Sequence, residues 1–339
     1  MATMTDVAKH AGVTKQTVSN VLSGKAVVRE ETRQRVLEAI EVLGYRPNLV
    51  ARSLRKGKTS ILAIMVPTIA NPFYSDIVEE VERIAGEHEY NLLLCTSRKS
   101  AERAQNQLQI LSDRSIDGLL LLDDSPISTE LATVVQGQFP IILCNWEHEP
   151  YPDNFPVVSI DYREAGYLAG QHLLDVGLRE HIAVIWESPA HHLRFQGVRN
   201  ALLDSGVDLE AHHIIATADS TTESGYQAAR MLLARRPLPQ AILATNDLMA
   251  LGTLKALREQ GLRVPDDIAV IGIDNIFLGA DTYPPLSTVE IPKREMAAEM
   301  TRLLLRCMKE EEMPLPRLLT LLRPHLIVRS STPVPVVCE

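Results

Sequence analysis

The sequence predicts an α/β protein carrying a small, purely helical head. Three observations predict it. Residues 3–43 hold three helical patterns and no strand-like run, whereas from Ile61 onward short apolar runs alternate with helical stretches. Charge divides at the same place: residues 1–60 contain 11 Lys/Arg against 5 Asp/Glu, and the rest contains 23 against 38, net charges of +6 and −15 behind the overall −9. A basic head on an acidic body places attraction for a polyanion on one end and repulsion on the other.

In the head, Thr3 caps the first helix, with Asp6 three residues on as its capping-box partner. Val7, Ala8 and Ala11 share one face, Gly12 closes the helix in a tight turn, and Thr14 caps the next. Two short helices joined around a Gly form a helix-turn-helix pattern. The second helix buries Val18, Val21 and Leu22 and turns Lys15, Gln16, Ser19 and Asn20 outward, side chains suited to base edges and phosphates. A third helix is expected from about Glu30 to Leu43, with Val36, Leu37, Ile40 and Leu43 as its apolar stripe and Gly44 as its stop. Pro47 prevents continuation and Asn48 can cap a new start. The helix that follows is only about two turns, marginal in water by itself, and its basic residues suggest that DNA holds it.

In the body, apolar runs at Ile61–Val66, Leu92–Cys95, Gly118–Leu122, Ile141–Cys144, Val157–Ile160, Ile182–Ile185, Ala241–Ala244 and Ile268–Ile273 read as strands. Helical patterns at Ile77–Ala85, Ala165–Leu174, Val198–Leu203 and Met249–Leu257 lie between them. Such alternation means parallel sheets covered by helices on both faces. Roughly 270 residues of it is large for one sheet, so two similar halves are expected. Ligands in such folds sit beyond the carboxyl ends of the strands. The four cysteines, Cys95, Cys144, Cys307 and Cys338, form no metal spacing and fit a reducing cytoplasm. No apolar run suits a signal segment or a membrane span, so a soluble, cytoplasmic protein is expected. The tail after Ser331 lacks heptads and reads as frayed.

Seven segments in register, "TDVAKHAGVTKQTVSNVLSG", "GYRPNLVARSL", "NPFYSDIVEEVE", "ATNDLMALGTLKAL", "VPDDIAVIGIDN", "PPLSTV" and "LIVRSST", closely resemble the lactose-repressor/purine-repressor family of bacterial transcription regulators over residues 3–331. The resemblance implies a helix-turn-helix DNA-binding domain at 1–46 and a hinge helix at 47–58. A two-lobed, periplasmic-binding-protein-like core of doubly wound parallel sheets would follow at 59–331, then a tail at 332–339. Chain crossovers between lobes are expected near 161–163, 291–293 and 323–324. Lys15, Gln16 and Asn20 take base-reading positions, and Thr17, Ser19 and Asn48 phosphate-facing ones. Thr5, Thr14 and Ala51 complete the DNA-facing set. Leu54 matches a hinge leucine that wedges into the minor groove, where unstacking one step gains a bend. Two hinges must meet there, which implies a homodimer on a near-palindromic operator. The sequence departs from the family at Arg29, where a capping Ser or Thr is common.

In the core the resemblance nominates Phe73 and Tyr74 as rings under a small effector, with Trp146 as a second stacking ring. Asn145, Asp161, Arg194, Asn246 and Asp274 are nominated as polar contacts, chemistry suited to vicinal hydroxyls. Asp247 reads as a helix cap, and Asp161 can equally be a structural cap or a ligand contact. Ser220 and Ile291 stand where relatives place an aromatic and a Gln, so the cleft is tuned differently. His191 and His192 beside Arg194 would suit a carboxylate, and a sugar acid of the gluconate or 2-ketogluconate kind is the expected effector. No cofactor, metal or membrane partner is expected. The expected mechanism is effector-controlled repression, although linkage permits either sign. Two alternatives are an enzyme and a transport-type binding protein on the same fold. The sequence shows no G-x-S-x-G elbow, Walker loop or H-E-x-x-H. Asp123-Asp124 has no partner His, and the head argues against transport.

Overall fold

The computed structural model describes residues 2–23, 27–45, 58–113, 116–122, 138–145, 147–209, 213–309 and 318–334. Asn48, Ala51 and Leu54 of the hinge, Trp146, the Asp123-Asp124 pair and Cys338 lie outside the described residues. The chain divides into two compact units, up to Thr59 and from Ser60.

The head contains α1 (Met4–His10), α2 (Lys15–Leu22) and α3 (Glu30–Val42). Thr3 and Asp6 form a reciprocal capping box, satisfying two backbone donors that the first turn would otherwise leave orphaned. Gly12 takes φ +63°, the left-handed region that glycine enters without steric cost, and so permits the turn into α2. Thr14 accepts from the backbone of Thr17, whereas Arg29 gives α3 no side-chain cap. Val7, Val18, Val36 and Ala39 form the packed centre. Leu37, expected in the stripe, is half exposed, and Ala39 occupies the inner face in its place.

The second unit is two six-stranded sheets. The first has the order β11 (Leu319–Leu322), β5 (Val157–Ile160), β4 (Ile141–Cys144), β3 (Gly118–Leu121), β1 (Ile61–Val66), β2 (Asn91–Thr96), and the second the order β12 (His325–Ile327), β10 (Ser287–Glu290), β9 (Ala269–Asp274), β8 (Ala241–Ala244), β6 (Ile182–Glu187), β7 (Ile214–Thr217). Lobe 1 begins with β1 (Ile61–Val66), α4 (Pro72–Glu87), β2 (Asn91–Thr96), α5 (Ala101–Asp113), β3 (Gly118–Leu121), β4 (Ile141–Cys144) and β5 (Val157–Ile160). The chain then enters lobe 2 with α6 (Tyr162–Asp175), β6 (Ile182–Glu187), α7 (His192–Asp204) and β7 (Ile214–Thr217). Lobe 2 continues with α8 (Thr222–Leu233), β8 (Ala241–Ala244), α9 (Asp247–Glu259), β9 (Ala269–Asp274), the short α10 (Phe277–Ala280) and β10 (Ser287–Glu290). Crossing at Ile291-Pro292, α11 (Lys293–Cys307) packs against α4 and strands β3–β5, and β11 (Leu319–Leu322) pairs in parallel with β5. After Arg323-Pro324 the chain returns as β12 (His325–Ile327), antiparallel to β10. All pairs except β10–β12 are parallel. The interior strands β3, β4, β5, β8 and β9 are buried on both faces, which explains their unbroken apolar runs.

Glycines decide how closely the lobe 2 helices approach. A Cβ at Gly166 would lie 1.9 Å from the Arg194 carbonyl oxygen, and one at Gly197 would lie 1.9 Å from that of Arg163. Helices α6 and α7 therefore cross backbone to backbone. Thr332, assigned to the tail by sequence, is buried: its hydroxyl meets the His172 ring and the Ser287 hydroxyl, each at 2.8 Å. The segment around Ser331 staples into lobe 2 instead of fraying at that point.

Candidate effector cleft and DNA-reading helix

A cleft of about 1050 Å³ opens between the lobes. It forms where the fold rule places it, beyond the carboxyl ends of the strands. Phe73, Tyr74, Asn145, Arg194, Ser220, Asn246 and Asp274 all line it. Asn71 caps α4 and Pro72 starts it, so the first turn of that helix delivers both rings. Phe73 and Tyr74 meet edge to face, with centroids 5.2 Å apart.

Arg194 is the centre of the site. It is buried on α7, its guanidinium 4.5 Å above the Tyr162 ring. Its Nε donates to both oxygens of Glu147 at 3.0 and 3.1 Å, and its Nη1 donates to Asp274 at 2.8 Å and to the Thr245 carbonyl at 2.9 Å. Glu147 belongs to lobe 1, so the first of these pairs spans the cleft. A second crossing pair joins Lys99, after β2, to Glu187 at the end of β6. The Tyr162 hydroxyl donates to Asn145.

One open choice is resolved and three sequence expectations change. Asp161 is not among the cleft-lining residues: its carboxylate accepts from the Glu164 backbone at 2.9 Å and caps α6. Asn246, rather than Asp247, caps α9; its side chain accepts from the Met249 backbone at 2.9 Å and donates to the Ser220 carbonyl at 3.0 Å. Asp247 is fully buried, accepting from the Thr288 hydroxyl at 2.6 Å and the Ile276 backbone at 2.9 Å. A Cβ at Gly272 would sit 2.1 Å from its Oδ1, so the Gly of "VIGIDN" makes room for this carboxylate.

Second, the Arg–His receptor for a carboxylate is absent. Arg194 already holds two carboxylates, and burial, with Arg194 and Lys99 nearby, keeps the His191 ring well below its usual titration range and so neutral. His191 bonds the Thr245 hydroxyl at 2.8 Å, and His192 is turned to Gln196 on the exposed side. Third, Ser19 is buried within the head instead of facing outward. It lies beside Leu22 on the helical wheel, and so short a side chain is covered where Lys15, one turn away, reaches past.

Thr5, Thr14, Lys15, Gln16, Thr17 and Asn20 retain exposed or partly exposed positions. Gln16 donates to Asn20 at 3.2 Å, and the Thr14 and Thr17 hydroxyls meet at 3.0 Å. Lys99, Glu147, Glu187 and Asp219 line the cleft without having been nominated. All lie at or just beyond strand carboxyl ends, the signal that could have found them. Among the described residues no cluster of three or more His, Cys, Asp or Glu could hold a metal, and no helix is long and apolar enough to cross a membrane.

A reading head and a ligand cleft between two parallel-sheet lobes define a ligand-responsive regulator class. Residues 3–48 match the family of bacterial regulatory proteins, lacI family, and residues 158–332 match the periplasmic binding protein-like domain. The HTH-type transcriptional repressor PurR of Histophilus somni (strain 129Pt) is 33% identical over 315 residues, 92% of this chain and 93% of that protein. A solved complex of the transcriptional regulator CelR with cellobiose is 33% identical with a TM-score of 0.73, covering 98% of this chain and 100% of its own. A lac repressor dimer solved on operator with an anti-inducer aligns with a TM-score of 0.87 at 25% identity, over 98% of this chain and 99% of that one. The chain belongs to the LacI family of DNA-binding transcriptional repressors with a ligand-binding domain. These relatives are regulators, not enzymes, which removes the enzyme alternative.

Proposed function

We propose that this chain is an operator-binding repressor whose cleft takes a neutral, polyhydroxylated effector, a saccharide. The observation that carries the reading is the engagement of Arg194 by Glu147 and Asp274. With that cation neutralised, Glu187, Asp219 and Glu223 outnumber Arg98 and Lys99 among the remaining charged lining residues. Carboxylates accept from sugar hydroxyls, and the Phe73–Tyr74 rings offer an apolar face. The cleft is at the upper end of the roughly 300–1,000 Å³ usual for small-molecule sites, which leaves space for more than one ring. The CelR relative carries cellobiose. A sugar acid such as gluconate or 2-ketogluconate is a second reading, favoured only by the exposed Arg98 at the edge of the site, since Lys99 is paired with Glu187.

The chain acts as a homodimer in this reading. Phe277, Leu278 and Tyr283 expose apolar surface within one short stretch, Tyr283 at 95%, and exposed apolar patches of that kind mark association surfaces. Lys15, Gln16 and Asn20 read base edges, Thr5, Thr14 and Thr17 support the phosphate approach, and the hinge residues Asn48, Ala51 and Leu54 dock in the minor groove. Effector binding changes the lobe geometry, separates the two hinges and lowers operator affinity toward the non-specific level. The protein works in the cytoplasm.

A thermal-shift screen of the full chain against neutral sugars, sugar acids and nucleobases tests this. Ligand at a hundredfold excess over its Kd adds about 2.7 kcal/mol, several degrees of melting temperature. A shift with a neutral saccharide that also releases operator supports the reading. Shifts confined to sugar acids install the second reading, and shifts confined to nucleobases discard both.

A further inference from the structure

We propose that Lys293 is a positioning residue: it holds the Asp274–Asn275 turn from across the lobe boundary and thereby sets how Asp274 meets the effector. The functional half of this inference rests on the cleft being the effector site.

Lys293 breaks two local rules. It is the first residue of α11, where the helix dipole presents its positive end and disfavours a cation. It is also buried, 7% exposed, although an ammonium is costly to remove from water. Positions that violate local preference are where function is expected to have intervened. The compensation is specific. Nζ donates to the Asp274 carbonyl at 2.7 Å and to the Asn275 carbonyl at 2.9 Å, with the Asp76 carboxylate at 3.9 Å and the Phe73 ring centroid at 6.0 Å.

The turn it grips is strained. Asp274 has φ +124° and Asn275 φ +49°, a region that L-residues with side chains seldom enter. Lobe 2 supports the turn from within, through Arg194 on the Asp274 carboxylate, Thr288 on the Asn275 amide at 3.3 Å and Asp247 on the Ile276 amide at 2.9 Å. Lys293 supports it from outside, because α11 packs on lobe 1. Through Asp76 and Phe73 the same ammonium also touches the helix that supplies the cleft's rings. One side chain therefore ties the backbone that carries the Asp274 carboxylate on one wall to the helix of the aromatic wall opposite, and a load on Asp274 reaches lobe 1 by this contact.

The test is hydrogen exchange of the full, ligand-free chain carrying Lys293→Met, which keeps the length and removes the charge. The Asn275 and Ile276 amides should exchange at least about tenfold faster, the effect of losing a charged hydrogen bond, while the later turns of α11 and strands β3–β5 stay protected. Lys293→Arg should restore protection. Lys293→Gln, with a donor of shorter reach, should show the same local change to a lesser degree and serves if the Met variant does not fold. Unchanged exchange at 275–276, or acceleration spread evenly through α11, overturns the proposal. Affinity for cellobiose or any other saccharide that the screen returns should fall in the Met variant and recover in the Arg variant. Because exchange is read without ligand, failure of the saccharide reading leaves that result standing and is seen separately in the screen.

Discussion

The two walls of the cleft are built by different physics. Lobe 1 contributes the β1–α4 turn with its rings, the exposed Arg98 and Lys99, and Asn145 and Glu147 after β4, and its α11 meets the sheet through flexible side chains. Lobe 2 contributes Arg194, Glu187, Asp219 and Asp274, fixed by two helices crossing at backbone distance and by a buried ionic network. The contrast teaches a division of labour. Lobe 1 supplies an apolar face that can adapt, and lobe 2 supplies most of the polar groups, whose positions are settled before any effector arrives; Glu147 of lobe 1 joins that set through Arg194.

The largest effect should come from removing the cation of the fixed wall. Arg194→Met strands Glu147 and Asp274 together in a buried site, and breaking a buried pair from one side costs about 3–5 kcal/mol. Urea unfolding should show that loss, and adding Glu147→Gln should recover part of it. A change within 1 kcal/mol of wild type would mean that solvent reaches the network and that the wall is not preset. Gly197→Ala follows. The new methyl has backbone on its far side and must part α6 from α7, so a loss of about 3 kcal/mol, the upper range for overpacking, is expected in the same measurement.

A third change acts through pH. Burial, reinforced by Asp274, pushes the Asp247 carboxyl up to about 7. The folded chain then binds this proton more tightly than the unfolded chain, whose value is about 3.9. Stability from this group is full below about pH 4 and is lost as pH rises toward about 7. His191 runs oppositely: its folded value is depressed by burial, so its contribution is lost as pH falls below the unfolded value of about 6.5. Asp247→Asn can still accept from Ile276 and can donate to Thr288. Melting temperatures from pH 4 to pH 8 should therefore lose, in the variant, the decline that Asp247 contributes between about pH 4 and about pH 7. An unaltered slope would remove Asp247 from the account.

The legibility of the sequence follows the same divide between local and distant causes. The caps Thr3, Asp6 and Thr14 act within four residues and could be read directly. The interior strands announce themselves as apolar runs. Edge strands β7, β11 and β12 are three or four residues long and only partly buried, so they carry too few apolar residues to stand out. In the cleft, Asp161 and Asn246 show how one residue type serves two purposes: each was nominated as a ligand contact, and each side chain caps the helix that follows it. Local sequence allowed both readings. The engagement of Arg194 was illegible because its partners lie 47 and 80 residues away in sequence. Ser19 was misplaced because periodicity gives an angle around the helix and not the depth to which neighbours bury it.

Alanine at two lobe 1 glycines gives the smallest effects and the sharpest comparison, since the added atom is the same as at Gly197. At Gly118 the methyl would meet the Leu304 side chain, its Cδ1 at 2.8 Å, and a leucine end can rotate away where a carbonyl cannot. A loss of about 1 kcal/mol, the lower end of overpacking, is expected. At Gly86, within α4, nothing lies within 4 Å of the added carbon. Alanine there should raise stability by about 0.5–1 kcal/mol through helix propensity alone. Urea midpoints should thus fall steeply for Gly197→Ala, slightly for Gly118→Ala, and rise for Gly86→Ala. Equal losses at 118 and 197 would show that lobe 1 is packed as tightly as lobe 2, and the adaptable wall would have to be given up.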